Sequence, residues 1–229
     1  MIVKVCGMRD AENIREVEGF GIDLMGFIFW PKSKRYVSER PAYLPTKCKR
    51  VGVFVDASID DIGQHIADYA LDIVQLHGQE SLDFIRRLRS VYGDNVAVIK
   101  AFNIATTADL DATKPYEGVA DYFLFDTKTQ LPGGSGQQFE WSVLETYNGL
   151  TPFLLSGGIG PDDAERVRTL ISDRACSRSP EQTSSLCSRS IAAFHHPKCI
   201  GIDLNSRFET APALKDISKL KQFIKEIRL

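Results

Sequence analysis

The chain predicts a closed (β/α)₈ TIM barrel of the α/β class, and three observations lead there. Continuous apolar or β-branched runs recur along it, as strands of a parallel sheet buried on both faces require. Each run is followed by a segment of helical period, the sequence form of a βα unit. Eight such units fit into 229 residues, a length that a parallel barrel takes as one domain. A doubly wound open sheet shares the alternation, and the count of eight favours closure over it. In order, the runs are Ile2 to Cys6, Leu24 to Phe29, Arg50 to Val55, Asp72 to His77, Val96 to Phe102, Tyr122 to Asp126, Pro152 to Ser156 and Cys199 to Leu204.

The connections carry their own signals. A second helix is expected after the loop PKSKRYV that follows the second run. Ser81 to Tyr92 places Phe84, Ile85, Leu88 and Val91 on one stripe and meets Gly93, a helix stop. Pro161 sits at a first helical position with Asp162 and Asp163 behind it, suiting both the missing proline donor and the positive helix end. The last helix begins near Asp216 and turns Ile217, Leu220, Phe223, Ile224 and Ile227 inward. Residues 1–229 thus read as one barrel domain, interrupted by a Ser-rich insertion, Ser172 to Pro197, between the seventh helix and the eighth strand. That connection faces the bottom of a barrel, the end associated with stability, and no catalytic part is expected of it.

Composition narrows the function. A hydrophobic content of 43% supplies one substantial core, and 28 basic against 30 acidic residues leave a net charge of −2. That balance lacks the basic footprint of a nucleic-acid or anionic-membrane partner, so a small molecule is the expected ligand. No apolar run approaches the ~18 residues of a membrane span. The start MIVKVCGMRD lacks the basic and apolar regions of a signal peptide, and a cytoplasmic protein is expected. Five cysteines without framework spacing read as reduced thiols. Cys176, Cys187, His195, His196 and Cys199 match no paired zinc-ligand spacing, so no metal is expected. A monomer or weak homodimer is anticipated.

Barrel chemistry sits at the carboxyl ends of the strands, and several of these ends are polar. Cys6 ends the first strand, Gln75 and His77 the fourth, Asp126 the sixth, and Asp203 with Asn205 the eighth. Because side chains alternate, Lys4 shares the face of Cys6, and Asp203 on the adjoining last strand is the nearest partner for a buried lysine. A charge there favours the thiolate a general base needs, although a strand-end cysteine is otherwise just a small buried apolar residue. The seventh loop, SGGIGP, brings Gly157 and Gly158 to a helix start, where backbone amides and the helix dipole favour an anion. NSRFE after the eighth strand adds Asn205, Ser206 and Arg207, at the position where barrels bind phosphate. In the second loop Arg35 follows Trp30 and Pro31, and either clamps an anion bidentately or lies on a solvated basic loop.

Taken together, KVCGMRD, FWPKSKRYV, VQLHGQE, Asp126 with GGSGQQFEW, SGGIGP and GIDLNSRFE resemble, in order and nearly end to end, the motifs of the phosphoribosylanthranilate isomerases of tryptophan biosynthesis. The resemblance implies a phosphate-binding barrel that converts N-(5′-phosphoribosyl)anthranilate to 1-(o-carboxyphenylamino)-1-deoxyribulose 5-phosphate by an Amadori rearrangement, without a cofactor. It implies Cys6 as general base, Asp126 as general acid, Arg35 as a contact to the anthranilate carboxylate and Asp203 as a polar substrate contact. Lys4 and His77 stand beside them as further substrate contacts. One departure is the strand-eight loop, Asn205-Ser206-Arg207-Phe208-Glu209, where a familiar family version reads Ser-Ser-Gly-Val-Glu. Two other readings remain. The histidine-pathway aminoaldose isomerase shares the barrel but uses two aspartates, which Cys6 argues against, and a phosphosugar-binding barrel without turnover would leave Cys6 and Asp126 without purpose.

Overall fold

The computed structural model of the chain describes residues 1–127, 141–171 and 196–228. Its strands close into an eight-stranded parallel barrel in sequence order, β1 (Ile2–Cys6), β2 (Leu24–Ile28), β3 (Lys49–Phe54), β4 (Ile73–Leu76), β5 (Ala97–Ile104), β6 (Tyr122–Thr127), β7 (Phe153–Ser156) and β8 (Cys199–Leu204), with β8 pairing back to β1. Alternation divides each strand between two cores. Cys6, Leu24, Val51, Val53, Ile73, Ile99, Ala101, Leu124 and Leu154 fill the barrel interior. Val3, Val5, Met25, Phe27, Phe123, Phe125 and Phe153 face the surrounding layer.

Among the described residues the helices of that layer are α1 (Ala11–Glu18), α2 (Ile59–Tyr69), α3 (Leu82–Tyr92), α4 (Ala164–Ile171) and α5 (Ile217–Ile227). Their starts are built by side chains that satisfy otherwise orphaned amides. Asp10 accepts from Asn13 N, Ser58 from Asp61 N, Ser81 from Phe84 N and Asp216 from Lys219 N.

Three expectations are corrected. No helix forms between β2 and β3. Pro41 and Pro45 deny that connection its amide donors, and buried Glu18 instead ties it down through Tyr43, Thr46 and Lys47. In α3 the stripe continues from Leu88 to Tyr92, four residues on, which packs against the core, while Val91 is left 61% exposed. Strand β5 runs past Phe102 to Ile104, which carries Asn103 inward beside Asp126. Most of the Ser-rich stretch, with Cys176, Cys187 and His195, lies outside the described residues, as does GGSGQQF after β6. Of the other cysteines and histidines whose spacing spoke against zinc, His196 packs on Tyr147 and Phe153, and Cys199 is a buried thiol.

Candidate active site

The carboxyl ends of the strands gather the ionisable side chains, because inward positions one layer above the apolar interior no longer have apolar neighbours on every side. Cys6 is 3% exposed at the end of β1. Gly26 beside it leaves room for the sulfur, since a Cβ there would stand 2.7 Å from Sγ. Gly7 turns the chain immediately after it at φ +77°, with its amide and that of Met8 both donating to the Gly26 carbonyl.

Lys4 lies one inward position below the thiol and is fully buried. Register places it opposite Asp203, and its ammonium donates to Asp203 Oδ1 at 2.9 Å. Ser156 from β7 donates to the other carboxylate oxygen at 3.3 Å. Burial alone would push Lys4 down, yet Asp203 and Cys6 together hold it above the usual lysine range. The thiol departs from expectation. Burial pushes Cys6 above the usual cysteine range, and the Asp203 charge adds to that, so the opposing pull of Lys4 and Lys215 is outweighed. A lysine beside a thiol does not by itself make a thiolate when a carboxylate already shares the lysine.

On the facing side of the ring Asp126, last but one in β6, stands between Asn103 of β5 and Ser156 of β7. Its carboxyl is 23% exposed, with His77 Nε2 3.6 Å from Oδ2. Gln75, buried one layer below, puts its amide nitrogen 3.4 Å from His77 Nδ1. A cleft of about 390 Å³ lined by His77, Asn103 and Tyr116 opens next to this pair. A second cavity, of about 710 Å³, lies among Ile2, Leu24, Ile73 and Ile200 at the amino ends of the strands, away from these groups.

Loops seven and eight meet: a Cβ on Gly160 would stand 3.8 Å from that of Arg207. Gly157 and Gly158 both take left-handed backbone, at φ 87° and 70°. Arg207 is exposed and lies outside the left-handed region, so its backbone does not need the glycine of the familiar version. Asn205 differs from the simple phosphate-loop reading, because its side chain accepts from Lys215 at 2.9 Å.

Arg35 reaches over Gly7 and is gripped by Glu209, with Nε to Oε1 at 2.8 Å and Nη2 to Oε2 at 2.6 Å. That grip, with the nearby thiol, holds the guanidinium above its ordinary range. Glu209 and Lys215 are the site residues that sequence reasoning missed. Glu209 closes the NSRFE motif and keeps the glutamate of the familiar version, though no role was read for it there, and Lys215 shows only as one charge between a strand and a helix.

The fold and these strand ends define a class, that of (β/α)₈ barrel enzymes with acid/base side chains at the carboxyl mouth. Comparison with known proteins gives the particular family. The family model for N-(5′-phosphoribosyl)anthranilate isomerase matches residues 3–226. An N-(5′-phosphoribosyl)anthranilate isomerase of Phocaeicola vulgatus is 45% identical over 228 residues, covering 100% of this chain and 98% of its own. One of Parabacteroides distasonis is 45% identical over 233 residues, covering 99% and 93%. Among solved structures, phosphoribosyl anthranilate isomerase from Thermotoga maritima is 30% identical with a TM-score of 0.75, covering 100% of this chain and 99% of its own. A phosphoribosyl anthranilate isomerase in complex with reduced 1-(o-carboxyphenylamino)-1-deoxyribulose 5-phosphate is 27% identical with a TM-score of 0.74, at the same coverage. The chain belongs to the phosphoribosylanthranilate isomerase family.

Proposed function

We propose that this protein isomerises N-(5′-phosphoribosyl)anthranilate to 1-(o-carboxyphenylamino)-1-deoxyribulose 5-phosphate in tryptophan biosynthesis, with Cys6 as general base and Asp126 as general acid. The observation that carries the reading is a buried thiol and a carboxyl on facing strand ends of a barrel in this family. The solved relative that holds a reduced form of that product supports the choice of ligand. A cytoplasmic setting goes with a phosphosugar that no nucleic acid or membrane surface need present.

Asp126, as the neutral acid, gives its proton to the ribose ring oxygen as the C1′–O bond breaks. The substrate's own nitrogen then holds the electron deficit as an iminium, which makes the C2′ proton acidic. Cys6 as thiolate removes that proton and leaves an enolamine. Protonation at C1′ and loss of the C2′ hydroxyl proton give the ketone. Arg35 faces the anthranilate carboxylate with the guanidinium edge that Glu209 leaves open. Asp203 and His77 line the sugar between the two reacting groups, while Lys4, expected from the sequence to touch substrate, is fully buried beneath the thiol and acts through Asp203. The amides of Gly157 and Gly158, with the Asn205 backbone, Ser206 and Arg207, take the phosphate.

Turnover of freshly made N-(5′-phosphoribosyl)anthranilate, followed through the fluorescence of its aromatic ring, tests the reading against its rivals. Conversion by the purified protein is expected. Its absence, or a preference for the phosphoribosyl formimino substrate of histidine synthesis, would overturn it.

A further inference from the structure

Behind the candidate base runs a chain of charges in which the chemistry above gives only Arg35 a contact to the substrate. After β8 the backbone forms a small hairpin of β9 (Glu209–Ala211) and β10 (Leu214–Lys215). Lys215 is 2% exposed, and its ammonium donates to Glu209 Oε1 at 2.7 Å and to Asn205 Oδ1 at 2.9 Å. Its backbone is clamped in both directions to the Asn13 side chain of α1, at 2.8 and 3.0 Å. Glu209, with a side chain 5% exposed, turns its other edge to Arg35. The Arg35 stem lies across Gly7, where a Cβ would stand 2.6 Å from Cδ and 2.9 Å from Asn205 Oδ1. A continuous path of hydrogen bonds thus runs from α1 through Lys215 and Glu209 to Arg35, directly over the residue that follows the thiol.

Burying a lysine and a glutamate is poor economy for stability, because well-packed apolar residues of similar volume often serve as well or better. Lys100 and Glu80 form a comparable pair outside the barrel interior, where it ties down the loop after β4. The Lys215 pair stands instead beside the charges that face Cys6: Lys4 on its own strand, Asp203 on β8 and Arg35 from loop two, with Lys215 on β10 favouring the thiolate. We propose that Lys215 and Glu209 are positioning residues for the isomerisation, Glu209 holding Arg35 in place for the substrate carboxylate while Lys215 fixes Glu209 and Asn205 and supplies positive charge to the base. The inference deepens the reading above and rests on its assignments of Cys6 and Arg35.

The test separates the two roles. Thiolate absorbance of each protein minus that of its Cys6→Ser counterpart gives the ionisation of Cys6 alone, without substrate. Lys215→Met should lower the Cys6 thiolate fraction about tenfold at a fixed pH below the midpoint, as loss of a nearby cation in a poorly screened site does, and Lys215→Arg should restore most of it. Glu209→Gln should leave that titration no higher in pH, yet raise KM about tenfold through a displaced Arg35. A wild-type thiol titration in Lys215→Met, or a wild-type KM in Glu209→Gln, overturns the proposal. If Lys215→Met does not fold, the KM of Glu209→Gln decides alone. Full activity in Cys6→Ser would retire the base assignment itself and leave the thiol titration standing, so the two failures are distinguishable.

Discussion

At the scale of single residues the thiol is the informative case, because its environment works against the state the reaction needs. Burial and Asp203 push Cys6 up, while Lys4 and Lys215 pull it down without prevailing. The sign follows directly: a raised thiol is protonated at neutrality, so the reactive fraction grows as pH rises. In the free enzyme the thiolate absorbance of Cys6 should therefore grow on the alkaline side of neutrality, and a thiol already fully ionised at pH 7 would contradict the structure's account of the base. Cys6→Ser should lose roughly 10² to 10⁴ in kcat, the range of a positioned proton-transfer group, with a smaller change in KM. Steady-state kinetics would show it. The Lys4–Asp203 pair was legible in sequence because alternation and barrel closure fix neighbours on β1 and β8. Glu209 and Lys215 were not, since the first meets Arg35 from 174 positions away and the second anchors to Asn13 across 202. Local patterning carries no record of such encounters.

At the scale of elements, the strands were readable as continuous apolar runs, α3 and α5 by their apolar stripes, and α4 by the proline and aspartates at its start. The connection after β2 was not, because prolines forbid a helix without saying what replaces it. Here the replacement is one buried carboxylate, Glu18, which gathers the segment through Tyr43 and two backbone amides. Glu80 plays the same part for the loop after β4. It accepts from Asp56 N at 2.9 Å and from Gly78 N at 3.0 Å, and it pairs with buried Lys100 at 3.1 Å. Glu80→Ala should cost about 3–5 kcal/mol by leaving that lysine buried without its counter-charge, measured by urea unfolding. A loss below 1 kcal/mol would show the pair to be solvated in practice. In loop seven, Gly158 has open space around a would-be Cβ but a left-handed backbone at φ +70°. Gly158→Asp should raise KM by repelling the substrate phosphate and straining the turn, and an unchanged KM would move the phosphate site elsewhere.

At the scale of the whole molecule, the barrel separates two jobs. Its walls and outer layer are apolar and hold the ring closed, and the carboxyl mouth collects the thiol, the carboxyls and the buried cations. The sequence already contained that division, because strands that are apolar along their length and polar at their ends can only put their chemistry at one rim. In the proposed reaction Asp126 delivers the proton that opens the ribose ring, opposite the base across that rim. Asp126→Asn keeps the shape of the side chain and removes the proton, so the decisive measurement is turnover of this variant beside a fluorescence titration of its product affinity. Product binding should stay close to wild type with kcat reduced at least ~10²-fold, the minimum expected of a positioned acid. An asparagine variant that keeps more than about a tenth of the wild-type kcat would contradict that role.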